Sequence, residues 1–163
     1  MDSNLRSYPI RKTGKYTFNF ETDQGDEYNC SFEASDDHFG KYPELSGKIF
    51  YFDLELESVF PKNKGIDKRI AATVSKIILH FLLSGTNAVI YICDPSEHRG
   101  EARARKFKSW YNEFKKYSGS ILHYTHNAEA GGIRLFTALL IHRDNKLKER
   151  FIQAYLDFAR SEE

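Results

Sequence analysis

No window of the 163-residue chain approaches the roughly 18 uninterrupted apolar residues that a membrane-spanning helix needs. The first residues, Met1-Asp2-Ser3-Asn4-Leu5-Arg6, carry no apolar h-region. The expectation is a soluble, cytoplasmic protein with no membrane partner. Cysteine is scarce: Cys30 and Cys93 each lie inside an apolar, strand-like run, and neither belongs to a C-x-x-C or C-x-x-H pair. That pattern reads as two buried thiols in a reduced compartment and leaves a disulfide between them open. The familiar catalytic signatures are missing too. G-x-S-x-G, H-E-x-x-H, the Walker-type G-x-x-x-x-G-K-[ST] and G-x-G-x-x-G do not occur, which removes the usual support for hydrolase, zincin and nucleotide-triphosphatase readings. His123 and His126 lie three apart on a strand-like run and so on opposite faces, and no metal is expected.

Net charge is also low, +1 with a pI of about 7.8. A nucleic-acid footprint usually lifts a domain's pI above about 9, so nucleic acid is not the expected partner. The small total hides an asymmetry, since residues 1–57 carry 6 bases and 12 acids whereas residues 58–163 carry 18 bases and 11 acids. A local basic surface in the second part is compatible with that distribution.

What the chain does have is apolar and aromatic content, 40% and 15% in 19.0 kDa, enough for one domain over residues 1–163 with a core of its own. Tyr16, Phe18 and Phe20, then Tyr28, Cys30 and Phe32, alternate with polar residues on either side of Thr22–Asp26, an antiparallel hairpin with a glycine turn. Lys48–Glu57 alternates again as a third strand. The period then changes to about 3.6, with Ile70, Val74, Ile77, Ile78, Phe81 and Leu82 on one helical stripe that Asp67 caps and Ser84-Gly85 stops. Ala88–Cys93 is a wholly apolar run, the pattern of a strand buried on both faces. A second helix is expected over 97–117, with Phe107, Trp110, Tyr111 and Phe114 as its apolar stripe. Strands at Ile121–His126 and Ile133–His142, with Asn127–Gly132 as the turn between them, precede a last helix that stacks Leu147, Phe151, Tyr155 and Phe158. The fold class is α+β, a mixed sheet of about six strands in the order β-β-β-α-β-α-β-β-α, with helices on its faces. Ligands of such sheets tend to bind beyond the carboxyl ends of the parallel strands, here after Glu57 and after Cys93.

Both of those segments carry charge. Lys62, Lys64, Lys68 and Arg69 crowd the start of the first helix, where positive charge opposes the macrodipole and a phosphate relieves the repulsion. The same composition also fits a solvated basic loop. Residues 97–117 hold seven bases against three acids; Arg99, Arg103 and Lys106 share a helical face that continues to Trp110, either a phosphate-contacting surface beside a stacking platform or the wet side of a packed helix.

Tyr91-Ile92-Cys93-Asp94, followed by Arg99, Ala102-Arg103, Arg105, Phe107 and Trp110-Tyr111, resembles the Y-x-C-D…R-x-x-A-R-x-R-x-F-x-x-W-[FY] core of a family of small, uncharacterised bacterial proteins, a domain of unknown function. The hairpin Tyr16–Tyr28 looks like the same family's start, and the resemblance implies no activity. The order of elements is similar to that of the acetyl-CoA-dependent N-acyltransferases, which cradle the CoA pyrophosphate on an R/Q-x-x-G-x-G/A loop. Lys62 and Gly65 stand in matching places, and Asp67 departs from the pattern by putting a carboxylate where a small residue belongs. That resemblance further implies a strand glutamate as base and a tyrosine as acid, for which Glu57 and Tyr111 occupy comparable places; as plain structure they fit a strand-end charge and a core aromatic. The leading expectation is a divergent acyltransferase-like protein binding a phosphorylated small molecule such as CoA at 62–69. The alternative is a non-enzymatic interaction module whose basic helix meets an acidic protein or nucleic acid. No oligomeric state is readable.

Overall fold

The computed structural model describes residues 6–34, 41–57, 68–83, 86–93, 112, 119–130 and 133–161; within them, side chains are described except at 92, 93, 127–130, 133–136 and 159–161. Seven strands form one sheet: β1 (Arg11–Lys12), β2 (Thr17–Glu21), β3 (Glu27–Ala34), β4 (Ile49–Leu56), β5 (Ala88–Cys93), β6 (Ile121–Ala130) and β7 (Ile133–His142), in the spatial order β1-β2-β3-β4-β5-β7-β6. Among the described residues two helices pack on it, α1 (Lys68–Leu83) and α2 (Lys148–Ser161). Neither is long and apolar enough to cross a membrane. Neighbouring strands are antiparallel except β4 and β5, which are parallel, as a strand-helix-strand crossover requires.

The expected α+β mixed sheet is thus present, with two departures from the sequence reading. β1 is an added edge strand of two exposed, charged residues, too short for any alternation to mark it. β6 does not stop at His126. Pairing runs on to Ala130↔Ile133, so only Gly131-Gly132 separates the last pair, a connection length that lets both strands pair to their ends. A partner strand overrides the weak strand preference of Asn127 and Glu129. The helix expected over 97–117, with its stripe through Trp110, lies outside the described residues apart from Asn112.

Period-two alternation sends the two halves of each central strand to two cores. Phe18, Phe20, Tyr28, Phe32, Phe50, Phe52 and Val89 face α1 and meet its stripe Ile70, Val74, Ile77, Ile78, Phe81 and Leu82. Phe81 stacks on Phe32 with centroids 4.0 Å apart and meets Phe50 edge-on at 4.8 Å. On the other face Ile49, Ala88, Ile90, Leu139 and Ile141 meet Phe151, Ala154, Tyr155 and Phe158 of α2. β5 is therefore covered on both sides, as its unbroken apolar run demands. On β3 and the carboxyl half of β4 the residues turned away from α1 are polar instead, among them Asn29, Ser31, Asp53 and Glu55. The β2–β3 turn closes through Gly25 at φ 90°, a left-handed conformation that favours glycine.

Candidate functional site

β4 and β5 share only three ladder pairs, Ile49↔Ala88, Phe50↔Val89 and Tyr51↔Ile90. β4 then continues to Leu56 in register with β3, while β5 continues to Cys93 in register with β7. Among the described residues, the ladder between the two parallel strands therefore has a gap at their carboxyl ends.

Hydrogen bonds on either side of β4 identify the groups that face this gap. The Glu57 N–H donates to the Glu27 carbonyl at 2.8 Å, and the Ala88 N–H donates to the Lys48 carbonyl at 2.9 Å. Odd-numbered residues of β4 thus turn their backbone groups to β3, and even-numbered ones turn theirs towards β5. Leu54 and Leu56 direct both N–H and C=O into a side where, among the described residues, no strand pairs with them. Such an edge inside a sheet is a template for an extended chain bearing amides. Phe52 and Tyr91, ring centroids 6.4 Å apart, stand where the strands separate, and Leu54 and Leu56 pack partly buried against the α1-side core.

A crossover helix runs antiparallel to the strands it joins, so the start of α1 lies at the end where β4 and β5 part. Its first turn has no acidic residue and begins with Lys68, which is exposed. Arg69 is engaged elsewhere. Its guanidinium pairs with Asp23 of the β2–β3 turn at 2.7 Å, donates to the Arg6 carbonyl at 2.9 Å and lies 4.0 Å above the Tyr8 ring. One turn on, Thr73 Oγ1 accepts the Tyr8 N–H at 2.8 Å and donates to the Arg69 carbonyl at 2.6 Å. Arg69 and Thr73 together hold the N-terminal segment and the hairpin turn against α1.

Glu57 is exposed one residue past β4 and continues a cross-strand row with Glu27 and Glu21; Glu27 is paired with Arg11 at 3.1 Å. Among the remaining sequence-predicted residues, Lys62, Lys64, Gly65, Asp67 and Tyr111 lie outside the described residues, as do Arg99, Arg103 and Lys106. Cys30, opposite Leu54 on β3, is a free thiol, which closes the question of a bridge to Cys93. Burial, and secondarily the Asp53 carboxylate, pushes its thiol up to about 12, so it is no nucleophile. Sequence reasoning missed the gap-facing backbone of Leu54 and Leu56 and the Phe52–Tyr91 pair. One strand reads as an ordinary alternating segment and the other as an apolar run, and nothing in either marks where their pairing ends.

No curated protein matches the chain. Two solved structures of a CoA-dependent acyl-homoserine lactone synthase, BjaI, are similar to it. The one with MTA is 11% identical, with a TM-score of 0.39 over 88% of this chain and 66% of that one. The one with SAM and isopentyl-CoA is 12% identical, with a TM-score of 0.38 over 89% of this chain and 69% of that one. The chain thus spans about two thirds of the length of these synthases. Residues 66–157 match a family of unknown function, DUF6169, and the chain belongs to that family.

Proposed function

We propose that the protein binds a phosphorylated small molecule with an extended, amide-bearing arm, coenzyme A being the type case, with the arm in the β4–β5 gap and the phosphates at the start of α1. The observation that carries this reading is the parting of β4 from β5 after Tyr51↔Ile90. An arm with its own amides completes the ladder that β5 abandons, as an added strand does. The free N–H groups at a helix start favour an anion, and Lys68 follows Lys62 and Lys64 in a chain segment without a compensating acid in the helical first turn. Arg69 serves the same site from behind, by holding the hairpin turn to α1. In the catalytic form of this reading Glu57 accepts the proton that an amine acceptor loses as it attacks the thioester, and Tyr111 returns one to the departing thiolate.

Calorimetric titration with CoA and with inorganic pyrophosphate tests it. CoA is expected to bind more tightly than pyrophosphate, because only CoA carries the arm, and Lys62→Glu and Lys64→Glu are each expected to weaken both by about tenfold. Failure of both ligands to bind at millimolar concentration overturns the reading.

A further inference from the structure

We propose that a second cavity, between the N-terminal segment and α1, binds a small organic anion with an apolar body, a carboxylate carried on an alkyl chain or an aromatic ring. The cavity has a volume of about 490 Å3, within the range of about 300–1,000 Å3 usual for small-molecule sites. It shares no lining residue with the β4–β5 gap. Tyr8, Phe18 and Ile77, all buried in the core, give it an apolar wall, and Ile10 extends that wall.

Two lysines and a histidine rim this wall. Lys12 stands opposite Phe18 in the β1–β2 register and so on the same face of the sheet. Lys76 and His80 lie one turn apart on the adjoining face of α1. All three are exposed, and among the described residues no carboxylate pairs with any of them. Two acids of the neighbouring hairpin are taken up by other cations: Asp23 by Arg69 and Glu27 by Arg11. The two lysines give the concavity a positive charge that, among the described residues, no carboxylate balances, and an anion supplies the missing charge. The wall adds a second requirement. Apolar surface at the bottom of a cavity is stabilised by an apolar body and not by a hydrated ion. An inorganic anion meets the first condition alone and a neutral hydrocarbon the second alone, whereas an amphipathic carboxylate meets both.

Octanoate, acetate and octylamine, titrated calorimetrically into the full chain, separate these requirements. Octanoate is expected to bind, acetate to bind at least about tenfold more weakly for want of the chain, and octylamine to show no binding. Lys12→Glu and Lys76→Glu should each reduce octanoate affinity by about tenfold or more without lowering the thermal midpoint, because among the described residues neither side chain has a carboxylate partner to lose. CoA affinity of Lys76→Glu should stay at the wild-type value, which keeps this site distinct from the gap. Octylamine binding as tightly as octanoate, octanoate failing to bind at millimolar concentration, or both charge reversals leaving its affinity unchanged overturns the proposal.

Discussion

Cys30 is fully buried, between Phe18 and Leu54 in the cross-strand register. Its thiol titrates at about 12 in the fold against 9.0 in an exposed chain, chiefly through burial. Between those values the unfolded chain has released the proton and the native protein retains it, so the native state binds more protons and stability falls as pH rises. The contribution is fully present below about pH 9, and by about pH 10 roughly 1.4 kcal/mol of it is lost. Urea unfolding of the wild type and of Cys30→Ala at both pH values measures this as a difference of differences, and parallel profiles contradict it. Arg69 is the other residue with a marked setting. Loss of its ring contact with Tyr8, its bond to the Arg6 carbonyl and its half-exposed ion pair is expected to cost about 1–2 kcal/mol in Arg69→Ala. A double-mutant cycle with Asp23→Ala should assign less than about 1 kcal/mol of that to the ion pair, and a larger coupling would contradict the division.

At the level of elements, α1 shows best what a sequence makes legible. Ile70, Val74, Ile77, Ile78, Phe81 and Leu82 repeat at helical spacing, and all six are buried, because a stripe of that period has one way to leave water. β5 is legible for the opposite reason: with no polar alternate it belongs only between two covering layers. β1 and the end of β6 were not legible, since two charged residues carry no period and a strand's extent depends on the partner beside it. The contact that joins α1 to the N-terminal segment is likewise absent from any local pattern. Thr73 is fully buried and reads as a gap in the apolar stripe, yet its hydroxyl accepts the Tyr8 N–H across 65 positions of sequence. Thr73→Val keeps the shape and removes that acceptor, with an expected cost of about 1–3 kcal/mol; Thr73→Ser should recover most of it. Equal midpoints for the valine and serine variants in chemical denaturation would contradict this role.

For the whole molecule, the basic stretch before α1 is a local feature of composition, visible before any fold is known. The gap at β4–β5 is not, because it arises from where an alternating strand and an apolar one stop pairing. Lys12, Lys76 and His80 are similarly dispersed along the chain and meet only when β1 is laid beside α1. On the proposed reading the gap receives a ligand whose arm pairs with the even-numbered backbone of β4. Amide hydrogen exchange at Leu54 and Leu56, followed by nuclear magnetic resonance with and without CoA, tests it most directly. Both amides are expected to exchange readily in the ligand-free protein and to become protected on binding, with Asn19 on β2 unaffected. Protection of Leu54 and Leu56 that is already complete without ligand, or that does not change when CoA is bound, would contradict it.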